Sequence, residues 1–225
     1  SADSRYWLIG VIFVIIFIRY YMKIIFLFFL CIGVWTVQAG SLVEGVIYLK
    51  DGRSVEFKGR DRIEIPSRHR DVKGMRDAFT KNKQKEIYPV EEIDSVICWH
   101  PRTPEYRRKF LPSSLIGWCW VYFETPHMLA LIYSKKGYGV STNGGIGVYQ
   151  RQGIFTHSKV KYYIRKSGEK EFYSPGKVKA RTGKAFREKL CSYIADDEAL
   201  CNQIRRSDTW RGKTLLLLKD YQPRN

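Results

Sequence analysis

The chain has 225 residues, enough for one domain or two small ones, and is therefore long enough to bury an apolar core. Basic residues outnumber acidic residues by 39 to 22, which gives a formal net charge of +17. A charge this large favours solubility and attraction to anions over compactness.

Residues 22–39 have the three parts of a secretory signal peptide. Lys23 supplies the positive start, residues 24–34 form an apolar stretch, and Val37 and Ala39 precede a signal-peptidase cut. The apolar stretch is shorter than the roughly 20 residues that span a bilayer comfortably. We therefore predict cleavage after Ala39 and an exported chain, in the periplasm or on the outer cell surface.

A second apolar run, residues 6–18, precedes this segment and leaves two interpretations open. In the favoured one, Met22 is the true start and residues 1–21 are an upstream extension that the native mature protein lacks. In the other, both runs remain in the chain and form a helical hairpin in a membrane. Removing residues 1–39 takes away three basic residues and one acidic residue, so fifteen of the seventeen net positive charges remain.

Residues 40–176 carry the short alternating apolar patterns of a β-rich domain. Asp51-Gly52 lies between two such runs and predicts a type I′ hairpin turn. Residues 67–84 lack the alternation and carry many charges, so we expect a mobile loop with one helical turn at most. A bend or further turns are expected at Pro89, Asn143-Gly144 and Ser167-Gly168.

Residues 177–225 form a helical tail that we expect to pack on the same unit. Phe186, Leu190 and Ile194 lie on one helical stripe. Asp196-Asp197 predicts the cap of a helix over 198–206, and Ser207-Asp208 predicts the cap of a further helix. The fold class is therefore α+β. We predict an antiparallel β-sheet curled into a barrel-like or sandwich layer, followed by two or three short C-terminal helices.

The helical tail carries a pattern that consists of Phe186, Leu190, Tyr193, Asp197 and Leu200/Cys201. Four segments of the β-rich part accompany it: 51–59, 87–99, 144–150 and 160–166. Together they resemble uncharacterised exported proteins of gut Bacteroidetes, which are small β-rich domains finished by a short helical tail. The chain's end, Tyr221 to Asn225, departs from the Tyr-Asn pair that closes such tails. The resemblance implies export and a β-rich fold with a helical tail, and it brings no catalytic signature.

Four cysteines remain after residue 39, and an oxidising compartment would allow them to pair. Their spacing favours disulfides between Cys98 and Cys119 and between Cys191 and Cys201. The alternative is four buried free thiols, which behave as small apolar residues.

Catalytic and cofactor signatures are weak. Cys98 and His100 would point to the same face of a strand, so a cysteine-dependent hydrolase is the alternative function. The remaining histidines show no metal-ligand spacing, and the glycine-rich residues 137–147 lack the ending of a P-loop. We therefore expect a protein that is not an enzyme, with no metal and no cofactor.

Aromatic residues share one strand face at Trp118, Trp120 and Tyr122, which is typical of a sheet core and, less often, of a sugar-stacking platform.

Basic clusters predict an anionic partner. The residues assigned to anion binding are Arg68, Arg70, Arg107, Arg108 and Lys109. Acidic lipid, polysaccharide or an acidic protein of the cell envelope is the expected partner, and nucleic acid is disfavoured by export. The predicted function is a non-enzymatic, envelope-associated binding or structural module.

Overall fold

The computed structural model describes residue 21 and residues 42–141, 144–148, 160–178 and 181–223. The chain divides into two compact units, residues 1–39 and residues 40–225. Apart from Tyr21, the predicted extension and signal peptide lie outside the described residues. In the part that the structure describes, every helix is too short or too polar to cross a membrane.

An antiparallel sheet forms the main body of the second unit. Its strands are ordered β13-β12-β9-β8-β7-β6-β1-β3-β4-β5, with β2 paired to β1, and β10 and β11 form a separate hairpin. The strands are β1 (Leu42–Leu49), β2 (Ser54–Phe57), β3 (Arg62–Glu64), β4 (Val72–Arg76), β5 (Gln84–Tyr88), β6 (Ile93–His100), β7 (Thr103–Leu111), β8 (Cys119–Glu124), β9 (Met128–Ser134), β10 (Tyr138–Val140), β11 (Ile146–Val148), β12 (Val160–Lys166) and β13 (Tyr173–Lys177).

The predicted turns are present in position where the structure describes them, but the predicted type I′ geometry at Asp51-Gly52 is wrong. β1 and β2 pair from Tyr48 and Ser54 outward, and Gly52 has a φ of 87°, whereas Asp51 does not have the positive φ that a type I′ turn also requires. The Leu49 main-chain N–H donates to the carbonyl of Arg53 over 2.8 Å and closes a loop longer than the two residues of a type I′ turn. Pro89 separates β5 from β6 and precedes a 3-10 turn over Val90–Glu92. Gly144 and Gly168 both have positive φ in hairpin connections, whereas Asn143 lies outside the described residues.

The prediction of a mobile loop over residues 67–84 is wrong in its middle, because Val72–Arg76 forms β4. Val72 and Gly74 are the buried residues of this strand. A Cβ on Gly74 would lie 2.3 Å from the Phe57 ring, so only a glycine fits this inward position. An alternating strand pattern requires an apolar side chain there, and the glycine supplies none. The alternation exists, but a pattern of apolar side chains does not detect it.

Three α-helices follow the sheet: α1 (Lys184–Tyr193), α2 (Glu198–Arg206) and α3 (Arg211–Leu216), the last continued by a 3-10 turn over Leu217–Asp220. The stripe of Phe186, Leu190 and Ile194 is buried, as predicted. The Leu200 main-chain N–H donates to the Asp197 carboxylate over 3.1 Å, which confirms the predicted cap of α2.

The predicted Ser207-Asp208 cap is wrong. α3 begins after Trp210, and no side-chain cap is present there. Ser207 instead ends α2, and its hydroxyl is 2.8 Å from that of Thr214. A side chain already engaged in a buried hydroxyl pair is not available to cap the next helix.

The sheet contributes to two apolar cores. The first joins β8, β9 and β12 to the helices, through residues such as Ile132, Ile164 and Leu190. The second joins β1, β6 and β7 to β2–β4 and to the β10–β11 hairpin, through residues such as Ile47 and Phe110. The sheet ends at β13 and β5 and does not close on itself. Of the two predicted forms, the protein therefore adopts the layered one and not the barrel.

Candidate anion-binding surface

Trp118, which is fully buried, fixes the backbone of the loop that carries Arg68 and Arg70. The Trp118 main-chain N–H donates to the carbonyl of Arg68 over 2.6 Å, and its indole N–H donates to the carbonyl of Arg70 over 2.8 Å. Arg68 adopts the left-handed conformation with a φ of 57°, which is uncommon for a residue with a side chain. Two carbonyls therefore point inward, and both arginine side chains are exposed.

Tyr138 ties Trp118 to the neighbouring strands. Its buried hydroxyl lies 2.7 Å from the carbonyl of Ile132 and 3.0 Å from the carbonyl of Trp118. It also accepts the main-chain N–H of Trp120 over 3.3 Å. Burial raises the pKa of Tyr138, so the hydroxyl stays protonated and keeps its donor. The support beneath the loop therefore belongs to the second core.

Two glycines let other segments approach this loop closely. A Cβ on Gly117 would lie 2.4 Å from the carbonyl oxygen of Arg68, and one on Gly137 would lie 3.2 Å from the Cβ of Ser67. Both glycines have positive φ, 98° and 88°. The Gly137 contact brings the turn after β9, with its two lysines, against the arginine loop. We name this region the basic loop surface; it consists of Arg68, His69, Arg70, Lys135 and Lys136.

The cations of the basic loop surface have no acidic partner among the residues that the structure describes. Within the described ranges, no carboxylate forms an ion pair with Arg68, Arg70, Lys135 or Lys136. All are exposed except Lys136, which is half-buried. The surface therefore presents four formal positive charges to the solvent from two segments far apart in sequence.

The three basic residues of β7 do not form a second site of this kind. Arg107 stacks over the ring of Trp99 at 4.7 Å, whereas Lys109 is paired with Glu124 at 2.8 Å. Alternation along the strand directs Arg108 to the other face. There Arg108 stacks over Trp120 at 4.7 Å, and its Nε–H donates to the carbonyl of Ile146 over 3.2 Å.

Arg108 is half-buried, and this burial lowers the pKa of its guanidinium. Lys109 has its charge balanced by Glu124. Of the three residues on β7, Arg107 is the most accessible. The register pairs Leu111 with Cys119, next to Trp118, so Arg107 lies about 13 Å further along β7.

Sequence reasoning selected Arg68 and Arg70 but missed Lys135 and Lys136. These lysines belong to "SKKG", whose glycine marked a turn and gave no sign that the turn touches residue 67. The contact is made between residues about seventy positions apart, so no local pattern could have predicted it.

The Cys98 and His100 pair is not arranged as a nucleophile and its base. Cys98 is fully buried, and burial raises the pKa of its thiol, which disfavours the thiolate. His100 Nδ1 accepts the main-chain N–H of Arg102 over 3.2 Å. In the part of the chain that the structure describes, no hydrogen bond joins Cys98 to His100, and no group of three metal-ligating side chains converges.

The four cysteines in the described part of the chain are free and buried. In the strand register, Cys98 on β6 lies opposite Arg108 on β7, and Cys119 on β8 lies opposite Leu111 on β7. Arg108 and Leu111 are three residues apart, so the two thiols lie on opposite faces of the sheet and on either side of β7. Their separation is about 14 Å, too far for a disulfide. The predicted Cys98–Cys119 pairing is therefore incompatible with the strand register.

The aromatic row belongs to the interior. Trp118 lies in the second core, Trp120 packs against both cores, and Tyr122 packs against the first. Tyr122 also falls at a register shift between Val121 and Phe123, which interrupts the alternation. These rings are engaged in packing rather than forming an open platform for a sugar.

No protein-family model, no curated protein and no solved structure matches this chain. The resemblance to exported Bacteroidetes proteins therefore stays a prediction.

Proposed function

We propose that the protein is a non-enzymatic binding module of the cell envelope that holds partners bearing clustered phosphate or sulfate groups. The binding site is the basic loop surface. The observation that carries this proposal is that the Arg68–Arg70 loop, whose backbone Trp118 fixes, meets the turn that carries Lys135 and Lys136. Among the residues that the structure describes, these cations form no ion pair with a carboxylate. Arginine and lysine donate charge-assisted hydrogen bonds to such anions.

The held backbone supports binding because it lowers the entropy lost when the site is occupied. The Arg68 and Arg70 carbonyls are already fixed, so mainly the side chains have to be ordered. An exposed basic segment without these contacts would have to order its backbone as well.

The test compares two double variants that remove the same charge. Arg68→Gln/Arg70→Gln removes two of the four positive charges of the basic loop surface. Lys81→Gln/Lys83→Gln neutralises two exposed lysines before β5 that also lack ion pairs in the described ranges. Each cation near an anionic surface contributes about 1 kcal/mol, so the arginine variant should bind phosphatidylglycerol vesicles roughly 30-fold more weakly. The lysine variant should lose less than about threefold.

Two further measurements complete the test. Binding of the unmodified chain to vesicles or to heparin should weaken steeply between about 0.1 M and 1 M salt, because the Debye length falls from about 10 Å to about 3 Å. Neutral phosphatidylcholine vesicles are the control, and comparison of vesicles with heparin separates lipid from polysaccharide. Equal losses in the two double variants, or affinity that does not respond to salt, would exclude the basic loop surface as the site.

Export is tested separately on protein recovered from cells. We expect its N-terminal residue to be Gly40. A terminus at Ser1, or at any residue before Gly40, would contradict the predicted cleavage.

A further inference from the structure

The first core contains a pair of cysteines in direct contact, one on α1 and one on α2. The Cys191 thiol donates to the carbonyl of Cys201 over 3.4 Å, and the Cys201 thiol lies 3.4 Å from the carbonyl of Cys191. The Cys201 thiol also lies 3.5 Å from the carbonyl of Ile194. Both residues are almost fully buried, at 5% and 3% exposure.

Asp197 and the sheet-side residues of both helices fix this arrangement. The Asp197 cap begins α2 three residues before Cys201, and Leu190 and Ile194 are buried on either side of Cys191. The connection between the helices is short, so the chain brings the two cysteines together whenever the helical tail is folded. The reciprocal thiol–carbonyl contacts bring Cys191 and Cys201 within reach of each other, whereas Cys98 and Cys119 are too far apart for a disulfide.

We infer that Cys191 and Cys201 are a site of disulfide formation, which links α1 to α2 when the chain meets a disulfide oxidant. This inference does not rest on the proposed anion binding. The oxidant is a small-molecule or protein disulfide of the kind present in oxidising compartments.

The reaction is a pair of thiol–disulfide exchanges. One cysteine thiolate attacks a sulfur of the oxidant, which forms a mixed disulfide and releases one thiolate of the oxidant. The second cysteine thiolate then attacks the protein sulfur of the mixed disulfide and releases the second thiolate. The protein loses two electrons and two protons, and the oxidant becomes two thiols.

Burial determines when the reaction occurs. Burial raises the pKa of Cys201 to about 11, and no oxidant reaches a closed core, so exchange requires local opening of the tail. Because the new bond lies within the core, it stabilises the closed tail once formed. We therefore expect slow oxidation and a persistent product.

The sequence provides a direct measurement. Trypsin cuts after Lys189 and after Arg205, so Cys191 and Cys201 fall in the same peptide, residues 190–205. Cys98 and Cys119 fall in two other peptides and serve as internal controls. The full chain is incubated with oxidised glutathione, both without denaturant and in low urea that increases local opening. It is then denatured, alkylated, digested and weighed by mass spectrometry.

The inference is supported if peptide 190–205 is lighter by two hydrogen atoms and carries no alkyl group, while Cys98 and Cys119 are alkylated. Oxidation should also raise the Tm by about 5–10 °C in the unmodified chain, with no rise in the Cys191→Ala variant. Alkylation of both cysteines under both conditions overturns the inference. So does a stable link to glutathione, to Cys98 or Cys119, or to a second chain.

Discussion

The most direct probe of the basic loop surface is the substitution Gly117→Ala. The added Cβ would lie 2.4 Å from the carbonyl oxygen of Arg68, so the two atoms must separate by at least about 0.6 Å to reach 3.0 Å. That movement pushes the Arg68 carbonyl away from the Trp118 N–H, to which it is hydrogen-bonded at 2.6 Å. The substitution therefore acts on the loop backbone without removing any charge.

The expected magnitude has two parts. Residue 117 has a φ of 98°, and placing a side chain there costs about 1–2 kcal/mol. Losing the Arg68–Trp118 hydrogen bond costs about 1 kcal/mol more. The free energy of unfolding should therefore fall by about 2–3 kcal/mol, which lowers the Tm by roughly 4–12 °C for a unit of this size.

Gly52→Ala is the matched control. Gly52 has a similar φ of 87°, and a Cβ there meets no atom within 4 Å. It should show the conformational cost alone, so Gly117→Ala should be less stable by about 1 kcal/mol in urea titrations. Gly117→Ala should also bind phosphatidylglycerol vesicles more weakly than Gly52→Ala. If both variants lose equal stability and retain full affinity, the Gly117 contact does not hold Arg68 in its binding position.

Three other predictions concern groups elsewhere in the chain. Glu44→Gln should lower the free energy of unfolding by about 3 kcal/mol in urea titrations. The reason is that the buried Glu44 carboxylate accepts the Trp99 indole N–H and lies 3.5 Å from the buried Arg62 guanidinium. A loss below about 1 kcal/mol would contradict this prediction. The Arg76 hydrogen bond holds the pKa of Asp61 below its ordinary value, so its contribution to stability is present above about pH 4 and is lost as the pH falls further. Asp61→Asn should accordingly be less stable than the unmodified chain at pH 7, with a difference that shrinks towards pH 2, and an unchanged difference would refute the assignment. In the folded chain Cys98 should resist thiol reagents at pH 8, because it is fully buried and burial raises its pKa; rapid stoichiometric labelling would restore the hydrolase alternative.

Local chemistry was sufficient to predict the positions of the turns and of the first two helices. Gly52 and Gly168 adopt positive φ at the predicted turns, and Asp197 caps a helix that spans the predicted residues. Each of these features depends on a few residues that are neighbours in the sequence, so a local pattern is enough to predict it. The same holds for the buried stripe on α1, since residues four apart on a helix lie on one face.

Contacts between distant residues could not be predicted in this way. β4 was missed because its inward residue is Gly74, which faces the Phe57 ring. The Ser207 hydroxyl was assigned to a cap, yet it pairs with Thr214. Sequence spacing favoured both disulfide pairings. Only the register of β6, β7 and β8 shows that Cys98 and Cys119 are too far apart to pair. In each case the deciding partner belongs to another element.

The net charge of +17 overstates the surface available for binding, because many cations are engaged in the fold. Arg76 stacks over Phe57 at 4.1 Å and pairs with two carboxylates, and Arg211 stacks over Phe186 at 4.7 Å. Such stacking is a stabilising interaction of roughly 0.5–2 kcal/mol. A count of basic residues includes these cations and cannot identify a binding site.

A second group of cations is exposed for a different physical reason. Lys81, Lys83 and Lys85 lie at or just before β5, the strand that ends the sheet, where lysines discourage pairing with another chain. Edge protection accounts for them without a ligand. It does not account for Arg68 and Arg70, whose loop lies outside the strands and is held by inward-pointing carbonyls, nor for the contact that places Lys135 and Lys136 beside them. An anion that bridges the two segments would offset the repulsion between their like charges.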